Sequence, residues 1–423
     1  MYKLNFSKPI TKTKLYKIFI NILIGIWFVI PILVVRPFKK IYFAQLQTIR
    51  IGHFIADTEI LLSRIHIDQN NSRNKILVIW IPESFICNKY VYTIWKQKIH
   101  IVPHNRVTSA ILLTAMYLEK MIKIKTTYRF IGWDGYLPYM HLLEITPTIF
   151  SMSNEDKESC IKTLKLNGID TDKKWVCILA RDSKYLTDLA PDLDWDYNLY
   201  RNSDISTFKI AAEYLAEKNI MTFRMGLNHQ NPFYSSNSNL VIDYANSDWR
   251  SEKLDIFLSM NCFFFISTGT GLDSVPIATR SPLLWVNQSQ PLHVFRSKNN
   301  FLFIIKYFFY KKKNIFLSPN DFYKIGTEEG FTVDNPLHLR SQDFERLEIQ
   351  VIDNTDVEIK DATVEMYESL INKDIQEVPL TAMQNMFWKK FPNIPELDNH
   401  TSPSSRIGKD FIRQNQWLLN RNL

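Results

Sequence analysis

The sequence predicts an α/β protein built from two Rossmann-like domains that follow an N-terminal hydrophobic, membrane-associating segment. Short apolar runs typical of buried strands alternate with segments of helical spacing, a pattern that predicts parallel sheets with right-handed crossovers. A polar stretch at 151–159 separates two such alternating regions. In the second region an apolar run, 262–267, leads directly into a glycine-bearing turn, which makes this turn the first candidate for a ligand site.

We divide the chain into a basic, apolar segment (1–40), an N-terminal Rossmann-like domain (41–165), a C-terminal Rossmann-like domain (166–355) and a helical tail (356–423). The expected strands are 43–52, 75–81, 99–103, 130–135, 175–181, 220–226, 240–245, 262–267 and 282–287. The expected helices are 53–65, 109–123, 206–218, 251–260 and one that begins at 356. The apolar and basic run 301–313 suits either a core helix or a second membrane-touching surface.

The charge of the chain is concentrated around its first apolar run. The 423 residues carry a net charge of +8, and lysines and arginines flank the uncharged run Ile18–Val35. This pattern indicates an anionic membrane surface as a partner and argues against nucleic acid. Eighteen residues can just cross a bilayer as a helix, but Pro31 and the flanking cations equally allow an interfacial helix, and a buried core helix is the third possibility. Either membrane arrangement leaves the rest of the chain cytoplasmic.

Cysteine, histidine and aspartate positions do not predict a metal site. The four cysteines are far apart and are typical of reduced core residues, and the histidines are scattered over different elements. Asp192, Asp194 and Asp196 alternate, but they follow Pro191 in a loop rather than ending a strand. We therefore expect no metal and no cofactor.

The segment with the most chemical information is the turn after the run 262–267. An apolar strand leads into a turn and a short helix that contain Ser267, Thr268, Gly269, Thr270, Gly271, Asp273 and Ser274. Backbone N–H groups at the start of a helix bind anions, hydroxyl groups donate to phosphate oxygens, and glycines let the backbone approach a ligand closely. The sequence therefore predicts a phosphate site here, with an ordinary turn that binds no ligand as the alternative.

Two arginines are expected at the same edge of the sheet. Arg181 and Asp182 end the first strand of the second domain, and Arg224 lies near the end of the next. Because arginine pairs well with diphosphate, we predict that both arginines contribute to the anion site, with surface residues at strand ends as the alternative. Tyr244 ends a third strand and is expected near a base or ribose. Asp182 is also a candidate base.

Several of these segments resemble a bacterial family of surface-polysaccharide glycosyltransferases. The resemblance covers most of 43–290 and rests on RIGHFIADTEILL, LARDSKYL, YRNSDIS, FRMG and the run from DYANSDW to TGTGLDSVP. More distantly, the Arg-Asp strand end and the Ser/Thr-Gly turn are similar to fucosyltransferases and heptosyltransferases of the GT-B type. The chain has Leu179 and Ala180 where fucosyltransferases have a His before the Arg-Asp pair, which argues against fucose.

The resemblance implies a GT-B transferase with its donor in the second domain and its acceptor in the first. Its substrates would be a nucleotide-diphosphate sugar and a glycan or lipid-linked acceptor, in bacterial surface polysaccharide synthesis at the cytoplasmic face of the inner membrane. The chemistry agrees, because cations around the departing diphosphate and a base on the acceptor hydroxyl can support sugar transfer without a metal.

The candidate base lies in the first domain, near the start of the helix expected at 53–65. His53 and Asp57 are one helical turn apart, so the carboxylate can orient the imidazole and raise its basicity. Glu59 is a second candidate for the base, or a structural partner of Arg50, and Arg50 and Gly52 are expected on the acceptor side. A histidine at a helix start is also common as a simple cap.

Two alternatives come from other functional classes. The chain could be a non-catalytic nucleotide- or lipid-binding component of a polysaccharide assembly system, or a different α/β transferase or hydrolase that acts on a phosphorylated lipid. No G-x-S-x-G motif is present, which argues against a serine hydrolase. No G-x-G-x-x-G motif follows the first strand, which argues against a dinucleotide-dependent oxidoreductase.

Overall fold

The computed structural model describes residues 12–70, 75–128, 139–182, 196–227, 232–235, 239–296, 298, 300–328, 339–372, 379–394 and 403–420. The chain forms two compact units, unit 1 (Met1–Ile131) and unit 2 (Gly132–Leu423). The boundary therefore lies before the predicted one at 165. The strand expected at 130–135, and also Pro191, Asp192 and Asp194, lie outside the described residues.

Unit 1 contains a parallel three-stranded sheet in the order β2-β1-β3. Its strands are β1 (Lys40–Leu46), β2 (Ile76–Pro82) and β3 (Thr127–Tyr128). Its helices are α1 (Lys12–Val35), α2 (Thr58–Asn70), α3 (Lys89–Lys98) and α4 (Arg106–Ile122). The strand expected at 99–103 is reduced to one bridge, between Ile101 and Trp80.

The N-terminal apolar segment forms the helix α1, which contains Pro31. One side of α1 packs on α4, where Val29 is buried in a core cluster with Phe43 and Leu112. Gly25 makes this packing possible, because a Cβ at that position would lie 1.8 Å from Thr114 Oγ1. In the part of the chain that the structure describes, no helix has both the length and the apolar character needed to cross a membrane.

Unit 2 contains ten described helices and ten described strands. Its helices are α5 (Leu142–Ile145), α6 (Asn154–Leu166), α7 (Lys209–Glu217), α8 (Glu252–Asn261), α9 (Ser274–Ala278), α10 (Pro319–Glu328), α11 (Ser341–Arg346), α12 (Asp356–Asn372), α13 (Ala382–Lys390) and α14 (Lys409–Gln414). Its strands are β4 (Trp175–Leu179), β5 (Met221–Arg224), β6 (Val241–Ile242), β7 (Phe264–Ser267), β8 (Leu283–Gln288), β9 (Phe301–Ile305), β10 (Tyr307–Tyr310), β11 (Ile315–Phe316), β12 (Ile349–Ile352) and β13 (Arg406–Ile407).

Polar side chains fix where several helices begin. A side-chain oxygen of the residue before the helix accepts a hydrogen bond from a backbone N–H in the first turn. This bond satisfies a donor that the helix itself leaves unpaired. The residues are Asn88 before α3, Asn105 before α4, Ser153 before α6, Ser251 before α8 and Thr381 before α13. The polar stretch 151–159, expected as a linker, thus starts a helix of unit 2. Lys253 of α8 donates to Ser159 Oγ of α6 at 3.1 Å, so these two helices of unit 2 are in contact.

The main sheet of unit 2 has seven strands in the order β13-β9-β8-β7-β4-β5-β6, and every pair is parallel. The chain runs from β4 outward through β5 and β6, and then returns to the other side of β4 with β7. The direction of winding therefore reverses between β4 and β7. In open parallel sheets, ligands bind outside the carboxyl ends of the strands at such a reversal point.

Two expectations for the C-terminal third require correction. The run 301–313 was expected to be a helix or a membrane-touching surface, but it forms β9 and β10, and all five residues of β9 are buried. A central parallel strand is covered on both faces, so its sequence lacks the alternation that marks a half-buried strand. The tail 356–423 is not purely helical, because β13 pairs with β9 and extends the main sheet.

Candidate functional site

The glycine-bearing turn and Arg181 meet where the winding of the main sheet reverses. Leu179 at the end of β4 pairs with Ser267 at the end of β7. The backbone N–H of Arg181 donates to Thr268 Oγ1 at 3.0 Å. Gly269 has φ of +75°, a left-handed conformation that favours glycine. The structure therefore brings together the arginine and the turn that the sequence placed at one sheet edge.

Asp273 stabilises the conformation of the turn through three hydrogen bonds. One of its oxygens, Oδ2, accepts from Ser267 Oγ at 2.9 Å, from the backbone N–H of Thr270 at 2.8 Å and from Trp285 Nε1 at 2.9 Å. Burial raises the pKa of Asp273 to about 6, although these three hydrogen bonds act in the opposite direction. Asp273 and the hydroxyl of Ser267 are therefore engaged with the protein.

The tip of the turn is its accessible part. Ser267 and Thr268 are buried, whereas Gly269 and Thr270 are partly exposed and Gly271 is exposed. The following helix, α9, has only five residues and begins at Ser274, whose side chain is buried. So short a helix carries a small dipole. Positive charge at this site must therefore come mainly from side chains.

Three cationic side chains supply that charge. Arg201 Nη2 donates to the carbonyl oxygen of Gly269 at 2.8 Å. Lys306 follows β9 directly, and its buried Nζ donates to the carbonyl oxygens of the segment 200–202 at 3.0 and 2.6 Å and pairs with Asp353 at 2.7 Å. Burial lowers the pKa of Lys306, Asp353 raises it, and the charges of Arg201 and Arg181 lower it further. Arg201 and Arg181 thus lie close enough to Lys306 for their charges to act on its ammonium group.

Backbone bonds join these cations to the same edge. The backbone N–H of Ser203 donates to the carbonyl oxygen of Arg181 at 2.9 Å, and that of Lys306 donates to the carbonyl oxygen of Gln288 at 3.0 Å. Arg201 Nε is buried and has no hydrogen-bond partner among the described residues. An anion that binds beside the turn would therefore meet an arginine group with a donor still to satisfy.

The residues that follow β8 add further polar side chains near these cations. Gln290 Nε2 donates to the hydroxyl of Tyr200 at 3.2 Å, and Gln290 Oε1 lies 3.1 Å from His293 Nδ1. Burial raises the pKa of Tyr200, and the charges of Arg201 and Arg181 oppose that rise. Tyr200 therefore links the polar residues after β8 to the arginines.

Four residues of this site were not predicted from the sequence, namely Arg201, Gln290, His293 and Lys306. A correct assignment of β9 would have revealed Lys306, because it directly follows the carboxyl end of that strand. The other three lie in irregular segments, and only the folded chain brings them to the turn.

Two predicted donor-site residues, Arg224 and Tyr244, lie at the β5–β6 end of the main sheet and bond to other residues there. Arg224 has a side chain only 3% exposed and pairs with Asp243 at 3.2 Å. Asp243 also accepts from the backbone N–H of Phe233 at 3.0 Å. The hydroxyl of Tyr244 donates to the carbonyl oxygen of Ser251 at 3.2 Å. The contacts of Arg224 and Tyr244 thus organise the β5–β6 side, and their role in donor binding stays a prediction.

In unit 1, His53 and Asp57 form a hydrogen-bonded pair. His53 Nδ1 lies 2.8 Å from Asp57 Oδ2, and the two residues bound a single π-helical turn that precedes α2. Such turns widen a helix and are frequent at functional sites. Trp95 Nε1 donates to the carbonyl oxygen of Phe54 at 2.9 Å within this turn. The predicted pairing of His53 with Asp57 is present, although the helix expected at 53–65 is α-helical only from Thr58.

The pair joins a buried carboxylate to an accessible imidazole. The side chain of His53 is 43% exposed and that of Asp57 is 9% exposed. Burial lowers the pKa of His53, but the charge and hydrogen bond of Asp57 outweigh that effect and the pKa is raised above 6.5. Burial raises the pKa of Asp57, and His53 opposes the rise. Because Nδ1 faces Asp57, the second ring nitrogen, Nε2, is the one that can exchange a proton with a ligand.

The remaining candidates of the first domain differ in accessibility. Glu59 is fully buried in the first turn of α2, whereas Arg50 is exposed and Gly52 is partly buried. Of the candidate bases in unit 1, His53 is therefore the one that a substrate can reach. Among the described residues, no group of three or more His, Cys, Asp or Glu side chains could hold a metal ion. Asp196 begins a short 3-10 helix.

No protein-family model and no curated protein matches the sequence. Among solved structures, the chain is similar to the glycosyl transferase family 9 protein of Veillonella parvula, with 10% identity over 79% of this chain and 97% of that chain and a TM-score of 0.41. It is also similar to the ADP-heptose lps heptosyltransferase II of E. coli, with 9% identity, 58% and 84% coverage and a TM-score of 0.34. For the E. coli heptosyltransferase WaaC these values are 12%, 62%, 92% and 0.32.

These similarities are distant. They include heptosyltransferases, the class that the sequence motifs distantly resemble. The mixed α/β fold with parallel sheets, which the sequence also predicted, is confirmed in both units.

Proposed function

We propose that this protein transfers a sugar from a nucleotide-diphosphate sugar to a glycan or lipid-linked acceptor in the synthesis of a bacterial surface polysaccharide. One observation carries the donor half of this proposal. Arg201 bonds through its side chain to Gly269 of a glycine-bearing turn, Arg181 bonds through its backbone to Thr268 of the same turn, and both lie at the reversal point of a seven-stranded parallel sheet. This is the place where such sheets bind ligands, and its charge suits a diphosphate.

The cations have a chemical task in the transfer step. As the bond between the anomeric carbon and the diphosphate breaks, negative charge develops on the departing phosphate oxygens. Arg181 and Arg201 can donate to those oxygens, while Lys306, paired with Asp353, holds the segment 200–202 that carries Arg201. We propose that the charge of the two arginines replaces a divalent ion, so that transfer proceeds without metal. Activity that survives a chelator would support this point.

The acceptor half of the proposal rests on His53 and Asp57. Nε2 of His53 would take the proton of the acceptor hydroxyl as its oxygen attacks the anomeric carbon, and Asp57 would stabilise the imidazolium through Nδ1. The exposure of the imidazole and the burial of its carboxylate partner support this assignment. His53 is thus the proposed base and Asp57 its positioning residue.

Thermal unfolding with a panel of UDP, ADP and GDP sugars tests the donor site. We expect at least one of them to stabilise the protein, and Arg201→Ala to weaken its binding about 10- to 100-fold, because a hydrogen bond to a charged group contributes about 1.5–3 kcal/mol. Arg413→Ala is the matched control, since Arg413 is an exposed arginine of α14 paired with Asp410. If no nucleotide sugar binds, or if both variants bind equally well, the donor site is wrong.

Release of nucleoside diphosphate from the donor that binds tests catalysis. We expect His53→Gln to abolish release while leaving donor binding intact. His66→Gln is the matched control, because His66 lies on the next turns of the same helical segment and bonds only to Asn70 among the described contacts. Donor binding without turnover in the wild type would favour the non-catalytic binding component instead.

A further inference from the structure

The helices α1 and α4, which pack on each other, both carry apolar side chains that are exposed to solvent. On α1, Leu23, Trp27, Ile30 and Val34 are exposed, and Trp27 is 79% exposed. On α4 the exposed apolar side chains include Leu113, Tyr117 and Met121. We call these seven residues the α1–α4 surface. Several large apolar side chains exposed on neighbouring helices mark a site that a membrane or another molecule covers.

Four exposed residues of α1 follow helical spacing and lie opposite its packed side. Positions 23, 27, 30 and 34 form one stripe along the helix, because they are separated by four, three and four residues. Gly25 and Val29, on the other side, pack against α4 and the core of unit 1. The protein thus uses one side of α1 to fasten the helix and leaves an ordered apolar stripe outside.

Positive charge is concentrated in the segments that carry this surface. Residues 12–40 and 106–125 contain ten lysines and arginines and a single acidic residue, Glu119. Their net charge of +9 exceeds the +8 of the whole chain, so the rest of the protein has no excess of positive charge. Glu119 accepts hydrogen bonds from the backbone N–H groups of Thr126 and Thr127 and is engaged locally. The surface therefore combines exposed apolar and aromatic side chains with an excess of positive charge in the segments that form it.

We propose that the α1–α4 surface docks on the interface of a bilayer that contains anionic phospholipid. The apolar stripe would enter the region between headgroups and acyl chains, Trp27 and Tyr117 would lie at headgroup level, and the surrounding lysines would contact lipid phosphates. A second copy of the chain is a less suitable partner for this surface, because a symmetric dimer would bring two positively charged segments together. The inference extends the sequence-based expectation for 18–35, since α4 supplies part of the surface, and it does not depend on the proposed transferase activity.

Flotation of the full chain with vesicles tests the proposal. We expect binding to phosphatidylcholine vesicles that contain 30% phosphatidylglycerol to be at least about tenfold tighter than to pure phosphatidylcholine, and to weaken with salt. Trp27→Glu should weaken binding to the anionic vesicles about tenfold or more. Tyr234→Glu, at an exposed aromatic position of unit 2, should leave it unchanged.

Three outcomes would overturn the proposal. The first is equal binding of the wild type to both vesicle types, and the second is unchanged vesicle binding of Trp27→Glu. The third is a concentration-dependent dimer in sedimentation that Trp27→Glu disrupts, together with no vesicle binding by the wild type. The last result would assign the surface to a second copy. Nucleotide binding measured without vesicles would be unaffected in each case, so a failure here is distinguishable from failure of the proposed function.

Discussion

Replacement of Gly269 by alanine separates the role of the turn in binding from its role in stability. Gly269 has φ of +75°, and a Cβ there would lie 3.4 Å from Gln288 Oε1, an ordinary contact distance. The cost is therefore that of placing an L-residue in the left-handed region, about 1–2 kcal/mol. Gly168, after α6, has φ of +76° and open space around its Cβ position. Gly168→Ala should cost about the same and is a matched control.

The two variants should differ only when a nucleotide is present. A ligand at 100 times its dissociation constant stabilises the folded state by about 2.7 kcal/mol, and tenfold weaker binding reduces this to about 1.4 kcal/mol. We expect Gly269→Ala to lose at least that half of the stabilisation, because its strained backbone forms the tip of the anion site. Gly168→Ala should retain the full value. Urea unfolding of wild type and both variants, with and without the nucleotide sugar that binds best, measures these differences.

Two results would refute this reasoning. Equal ligand stabilisation of the two variants would show that the tip of the turn does not contact the donor. A cost for Gly269→Ala far above that for Gly168→Ala without ligand would show that steric contact, rather than backbone conformation, decides the effect.

Two further predictions concern the buried carboxylates. Asp57→Asn should lower the pKa of His53, measured by NMR of the imidazole, because burial then acts without the opposing charge; an unchanged pKa would contradict the role of Asp57. Asp273 has a folded-state pKa of about 6, above its usual 3.8, so the stability it contributes is fully present below about pH 4 and is lost as the pH rises through 6. The wild type should therefore lose up to about 3 kcal/mol between pH 4 and 6 relative to Asp273→Asn, and parallel pH profiles of urea unfolding would contradict this.

The sequence was sufficient to predict the centre of the candidate site. Strand ends in a parallel sheet share one edge, so Arg181 and the turn after 262–267 could be placed together from their positions alone. The pairing of His53 with Asp57 was also predictable, because residues four apart face each other on a helix.

Other features depend on tertiary structure that local patterns do not encode. The run 301–305 is uniformly apolar, which fits a buried strand or a core helix equally well, and the wrong choice concealed Lys306. Arg224 lies at a strand end, on the edge of the sheet where a ligand was expected. Its side chain pairs instead with Asp243, nineteen residues later. Arg201 reaches Gly269 from an irregular segment. Each of these contacts joins elements that are distant in sequence.

A crystal structure of the protein with a bound nucleoside diphosphate sugar tests the central claim most directly. We predict that diphosphate oxygens lie within hydrogen-bonding distance of the guanidinium groups of Arg181 and Arg201, beside the tip formed by Gly269, Thr270 and Gly271. A diphosphate bound elsewhere on the chain, with the turn and both arginines unoccupied, would contradict the account.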